Sequence, residues 1–202
     1  MIFNPSARQL TLLKAIVALL ALLPFARMTW LTVSGALVEP IEFITRATGD
    51  WTLYFLCITL AVTPLRRLTH WNWLQKLRRM LGLFVFFYAV LHFTTFLWFD
   101  HFFDVAAMWK DVLKRPFITV GFSAFVLLIP LALTSTKGMQ RRLGGQRWMW
   151  LHRLMYIIAP LAILHFWWMK AGKNDFAEPI IVGSVVALLL GVRLVWAWRK
   201  RR

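Results

Sequence analysis

The chain has 202 residues, of which 60% are hydrophobic and 16% aromatic, and it carries a net charge of +16. Its mean hydropathy of +0.64 lies far from the balance of a soluble domain, and its apolar runs are long enough to cross a bilayer core of ~30 Å at roughly 20 residues each. With a single cysteine, Cys57, the chain has no disulfide framework and no cysteine-based metal site.

The apolar runs predict an all-α fold, an integral membrane bundle of about six transmembrane helices forming a single domain over residues 1–202. The expected spans are about 15–34, 49–65, 80–99, 116–134, 151–169 and 179–198. The first begins after Arg8 and Lys14 and ends near the small residues Ser34, Gly35 and Ala36, which has the outline of a signal peptide. Its length and the interruption from Pro24 to Arg27 fit a retained span better. Arg27 has two readings: it neutralises an anionic cofactor group, or it snorkels to the interface.

The second span is the weakest, being solidly apolar only from Trp51 to Leu65, and it contains Cys57, read as a small packing residue. In the loop that follows, His70 stands beside Trp71 and Trp73 as either an interfacial side chain or an inner ligand opposite His152. The third span carries His92; the fifth carries His152 at its start and His165 further on, with Pro160 between them. His101 is read as a surface histidine. In the sixth span Gly183, Ala187 and Gly191 form a stripe of small residues, suited to the close approach of another helix. The tryptophans gather near the span ends as an aromatic belt.

Charge gives the orientation. Arg8, Lys14, Arg66, Arg67, Lys76, Arg78, Arg79, Lys137, Arg141, Arg142, Arg147, Arg199, Lys200, Arg201 and Arg202 fall on one side. All eight acids fall on the other: Glu39, Glu42, Asp50, Asp100, Asp104, Asp111, Asp175 and Glu178. Only Arg46, Lys110, Lys114, Arg115, Lys170 and Lys173 join them there. The positive-inside rule then predicts both termini in the cytoplasm of a multi-pass inner-membrane protein. The basic excess reports topology and anionic-lipid contact rather than nucleic-acid binding. The acidic outer loops have two readings, a docking surface for a periplasmic partner or plain solvated loops.

Imidazole inside an apolar span usually marks a relay, a ligand or a water-filled path. The third and fifth spans run in the same direction, and His92 and His165 each lie about 13 residues, or ~20 Å, from the inner edge. They share a level, as neutral axial ligands of an iron porphyrin held between helices would. His152 marks an inner level. Because about 13 residues rotate an ideal helix by ~220°, His152 and His165 do not share a stripe unless Pro160 alters the register. No Gly-rich phosphate loop and no stretch long enough for a nucleotide-binding domain is present, so electrons must come from a partner, a small bound flavin or a quinone. Arg78, Arg79 and Arg153 are either partners for haem propionates or a flavin phosphate, or positive-inside anchors.

Several segments, in order, resemble the ferric-reductase-like transmembrane family across essentially the whole chain. They are ALLPF (Ala21 to Phe25), ITLAVTPLRR (Ile58 to Arg67), RRMLGL followed by Leu91–His92, and RPFITVG (Arg115 to Gly121). LTSTKGMQRRLG (Leu133 to Gly144), RWMWLHRLMY (Arg147 to Tyr156) and His165 complete the set. The resemblance implies that His92, His152 and His165 are the haem-iron ligand positions, with b-type haem (one or two) and flavin mononucleotide as cofactors. In larger relatives two histidines stand on each ligand helix; here the inner position on the third span falls near Arg79. The resemblance also implies an electron-transfer subunit rather than a complete reductase. Its donor would be the quinone pool or a cytosolic flavin reductase. Its acceptor would be a periplasmic molybdenum enzyme that reduces methionine sulfoxide in oxidised proteins.

Two alternatives remain at this level. One is another redox role on the same scaffold, such as a metal-ion reductase or a quinol-oxidising cytochrome b. The other is a His-lined transporter, which calls for carboxylates in mid-span or a repeated broken-helix architecture. The sequence has no such carboxylate and no evident internal repeat.

Overall fold

The computed structural model describes residues 4–172 and 174–199; Lys173, Lys200, Arg201 and Arg202 of the charge pattern lie outside them. Every regular element among the described residues is helical. Five helical segments are long and apolar enough to cross a membrane: Ala7–Val33, Asn72–Asp100, Pro116–Leu133, Gly145–Ala171 and Ala177–Arg199. The protein is therefore an all-α, multi-pass membrane protein. The chain divides into two compact units, residues 1–99 and 100–202.

The first unit holds α1 (Ala7–Val33), α2 (Pro40–Thr69) and α3 (Gln75–Thr95). Helix α1 starts earlier than hydropathy suggested because Ser6 and Gln9 form a reciprocal capping box. The expected weak second span is a helix of 30 residues, longer than its apolar stretch. Pro40 suits its first turn, Glu42 pairs with Arg46 one turn on, and His70 closes it in the left-handed conformation at φ 59°. Its charged ends keep α2 out of the five apolar segments, yet its middle is well buried, including Leu53, Phe55, Leu56, Thr59 and Leu60.

Helices α2 and α3 run antiparallel: the ideal Cβ position of Gly49 lies against the His92 ring, and that of Gly82 faces Thr59. Between them Phe55 stacks on Tyr88 (centroids 5.3 Å, 11°) and on Phe84 (5.6 Å, 26°). Tyr88 has no exposed surface, and its hydroxyl donates to the Ala21 carbonyl of α1 at 2.7 Å. Ala21 lies in the turn before Pro24, whose missing N–H leaves the Leu20 carbonyl, not that of Ala21, without its helical donor. Aromatic packing thus joins α2 to α3, while the Tyr88 hydrogen bond and the edge contact of Phe25 with Phe87 (centroids 5.6 Å) tie α1 to α3. Past Thr95 the third span loosens into a π turn over Phe96–Asp100.

The second unit holds α4 (Val105–Lys114), α5 (Pro116–Leu133), α6 (Lys137–Leu143), α7 (Gly145–Leu151), α8 (Met155–Ala171) and α9 (Ala177–Arg199). Helix α4 was not expected from hydropathy. It is short and amphipathic, capped by Asp104 on the Ala107 N–H, and buries Met108 and Val112. The fifth span is not one smooth helix: α7 and α8 are joined by a 3₁₀ turn at His152–Leu154, while α8 continues through Pro160. Pro160, where the register could alter, leaves α8 continuous, and the departure from regular α geometry lies at His152–Leu154, where a 3₁₀ turn winds more tightly.

Helix α9 packs beside α8, where a Cβ at Gly183 would meet Ile163 at 3.3 Å; nothing lies within 4 Å of one at Gly191. The small-residue stripe thus serves α8 of the same chain at its first position. Eight of the tryptophans are exposed, Trp30, Trp71, Trp98, Trp109, Trp150, Trp167, Trp168 and Trp198, as an interfacial belt requires. Trp51 and Trp148 depart from it, packing on Tyr54 and on His152 respectively.

Tyr88→Phe removes the hydrogen bond from α3 to α1 while leaving the ring stack and the Phe25–Phe87 contact intact. We expect a loss of about 1 kcal/mol, the net worth of one such bond, read as a lower midpoint in detergent thermal denaturation.

Candidate functional site

His92 is positioned by α3 against the face of α2. Its Nδ1 lies 3.0 Å from the Thr45 carbonyl oxygen and 3.4 Å from Thr48 Oγ1. Thr48 is buried and donates back to the Ile44 and Thr45 carbonyls at 2.8 and 3.0 Å. A carbonyl only accepts, so the ring proton sits on Nδ1, and in the neutral imidazole the lone pair belongs to Nε2.

His165 repeats this arrangement in the other unit. Its Nδ1 lies 2.7 Å from the Phe117 carbonyl of α5, and its ring lies at 27° to the Phe117 ring. In both units the accepting carbonyl stands four residues before a helical glycine, Gly49 after Thr45 and Gly121 after Phe117. Each unit thus holds the same local feature, a histidine on one helix seated over a glycine on the antiparallel neighbour. It escapes sequence inspection because the repeated parts are a backbone carbonyl and the absence of a side chain.

His152 is held differently. Its Nε2 lies 3.3 Å from Thr134 Oγ1, and its ring packs on Trp148 with centroids 4.0 Å apart. Trp148 Nε1 donates to the Thr134 carbonyl at 2.9 Å, so tryptophan, histidine and threonine form one cluster at the α7–α8 junction. The Thr134 hydroxyl has one proton and lies 2.6 Å from the Pro130 carbonyl. That shorter contact takes the proton and leaves the hydroxyl to accept from His152 Nε2–H. His152 therefore favours the opposite tautomer from His92 and His165.

The remaining candidates fall as follows. Arg78 is half-buried, while Arg79 and Arg153 are exposed, each at the basic end of its own unit. Arg27 is exposed on α1. His70 ends α2 rather than facing a partner imidazole within its unit. His101 departs from the surface reading: its side chain is only 9% exposed and sits 3.5 Å from Asp111, which also takes Arg115 at 3.1 Å. The cause is α4, whose presence hydropathy did not reveal. Sequence reasoning also passed over Arg193, a buried arginine on α9. Its signal was plain, an isolated cation within an apolar helix, but it sits close enough to Arg199 to be taken for part of the basic terminus.

Several of the acids are engaged locally. Glu42 pairs with Arg46, and Lys170 bridges Asp175 at 3.1 Å and Glu178 at 2.8 Å. Among the described residues no three His, Cys, Asp or Glu side chains gather into a site for a bare metal ion. In each unit taken by itself, Nδ1 of the histidine (His92 or His165) is committed to backbone, so Nε2 is the basic nitrogen suited to a ligand.

Comparison with known proteins agrees with this chemistry. The profile of the ferric reductase like transmembrane component matches residues 48–163. A protein of Herminiimonas arsenicoxydans, named protein-methionine-sulfoxide reductase heme-binding subunit MsrQ, is 71% identical over 202 residues, covering 100% of this chain and 93% of its own length. The proteins of that name from Ralstonia nicotianae and Bordetella pertussis are 58% and 54% identical. They cover 96% and 97% of this chain and 90% and 95% of their own lengths. No solved structure matches. The chain belongs to the ferric reductase-like transmembrane family, among the relatives named MsrQ.

Proposed function

We propose that this protein is the haem b-bearing membrane subunit of a protein-methionine-sulfoxide reductase system, passing electrons outward across the inner membrane. The observation that carries the reading is the pair of intramembrane imidazoles, His92 and His165, each with Nδ1 on a helix carbonyl, in a chain so close to proteins named as haem-binding subunits. Haem, when bound, supplies a one-electron ferric–ferrous couple. The chain's own part would be to hold the group through Nε2 of His92 and His165, within apolar helices that limit access of water. The family profile crosses from the first unit into the second, which supports a single functional domain.

His152, with Trp148 and Thr134, stands at the basic end of α8 and is assigned to the inner, electron-entry side. It is the ligand candidate for a second haem. Arg78, Arg79 and Arg153 lie at that same charge level, where guanidinium groups suit propionates or the phosphate of flavin mononucleotide. The donor on this reading is quinol or a cytosolic flavin reductase. The acceptor is a periplasmic molybdenum-dependent methionine sulfoxide reductase that repairs oxidised proteins.

On this reading both termini lie in the cytoplasm, and α2 crosses as well as the five apolar helices. Burial of the middle of α2 supports this, since polar groups near its ends reach the two interfaces.

Reduced-minus-oxidised absorbance spectra of the purified protein should show a b-type signal at one or two haems per chain. His92→Ala and His165→Ala should each abolish or severely reduce the outer haem, while His101→Ala leaves it intact. A wild-type chain expressed with ample haem supply that holds no stoichiometric haem would overturn the proposal. In a Cys57→Ser background, an impermeant maleimide should label Ser34→Cys and Asn174→Cys in intact spheroplasts. Asn72→Cys and Thr136→Cys should react only after lysis; early labelling at Asn72→Cys would mean that α2 does not cross.

A further inference from the structure

We propose that Gly49 and Gly121 are positioning residues that set the ring plane, tautomer and donor strength of His92 and His165. The inference deepens the proposed haem function and rests on it.

In an α-helix the Cβ of each residue tilts toward the helix N-terminus, over the turn before it. A side chain at one position therefore shields the carbonyl four residues earlier from a group approaching across the helix. Glycine removes that shield. At position 121 an ideal Cβ would lie 2.6 Å from His165 Nδ1, 2.8 Å from Cε1 and 3.0 Å from Cγ, closer than atoms can pack. At position 49 it would lie 3.2 Å from His92 Cε1 and 3.4 Å from Nδ1, a tight but yielding contact. Hydrogen at position 121 lets the His165 ring seat close enough for Nδ1–H to reach the Phe117 carbonyl at 2.7 Å, and hydrogen at position 49 lets His92 reach the Thr45 carbonyl at 3.0 Å without being displaced.

Each carbonyl is a helix acceptor at its outward lone pair, so the imidazole gains a partner without breaking the helix. The consequence is electronic as well as steric. Donation from Nδ1–H makes Nε2 more basic, and a more basic axial nitrogen favours ferric over ferrous iron. The two glycines thereby hold the potential of the outer haem down. The shorter bond and the tighter seat both belong to His165, so the larger share of this control lies in the second unit.

The test uses the full chain, purified with its haem, as wild type, Gly49→Ala, Gly121→Ala and a control, Gly82→Ala. At Gly82 a Cβ would have nothing closer than Thr59 at 4.0 Å. Alanine is the better helix former, so lost helix propensity cannot account for any damage. The readouts are haem per chain, the low-spin ferric electron paramagnetic resonance spectrum and the midpoint potential from redox titration.

Gly121→Ala is expected to lose most of the outer-haem low-spin signal. Gly49→Ala is expected to keep haem but with shifted g values and a more positive midpoint potential; Gly82→Ala should match wild type. Wild-type potential and spectrum in Gly49→Ala would overturn the inference. That holds even where Gly121→Ala fails to accumulate, because Gly49→Ala requires a shift of only a few tenths of an ångström. A wild-type chain without haem would overturn the underlying function instead, so the two failures are distinguishable.

Discussion

The hydrogen bond from an imidazole Nδ1 to a helix carbonyl is the constraint on which the site geometry depends. It occurs at His92 on Thr45 and at His165 on Phe117, each time across an antiparallel helix pair. In a low-dielectric interior an unpaired ring N–H is costly, so the bond fixes which neighbouring helix the ring must face. It also decides the tautomer. Orientation, protonation and the identity of the basic nitrogen are thus set by one contact to backbone.

Around that contact the two units use different packing. In the first, Phe55, Tyr88 and Phe84 make a nearly parallel stack that seats α3 on α2 next to the turn carrying His92. Tyr88 and His92 are four residues apart, so the aromatic stack and the imidazole occupy the same face of α3. In the second unit His152 is joined to Trp148 and Thr134 below the level of His165, and the 3₁₀ turn at His152–Leu154 separates the two histidine environments. A membrane interior offers little hydrophobic gain for helix association. Aromatic stacking, side chain–carbonyl bonds and close approach at glycine supply what burial from water supplies in a soluble protein.

The polar periphery is also more organised than a set of solvated loops. His101, Asp111 and Arg115 form a linked group where α4 meets the third span's exit, and Lys170 ties the end of α8 to the start of α9. These pairs are exposed to varying degrees and contribute modestly to stability. Their effect is to shape the surface and to reduce the free acidic charge available for docking.

The sequence alone determined the fold class, the approximate spans and the histidines worth pursuing, because hydropathy and charge act on each residue independently of its distant neighbours. It marked α2 as weak for a physical reason that the structure retains: charges at both ends of a helix whose buried middle is short. It missed α4, since ten amphipathic residues produce no long apolar run, and it did not show the 3₁₀ turn at His152–Leu154. Only tertiary structure decided what each imidazole nitrogen does, that His101 is tucked against Asp111, and that two glycines open two helix carbonyls. Those features arise from backbone atoms brought together by antiparallel packing, and backbone atoms are the same at every position in a sequence.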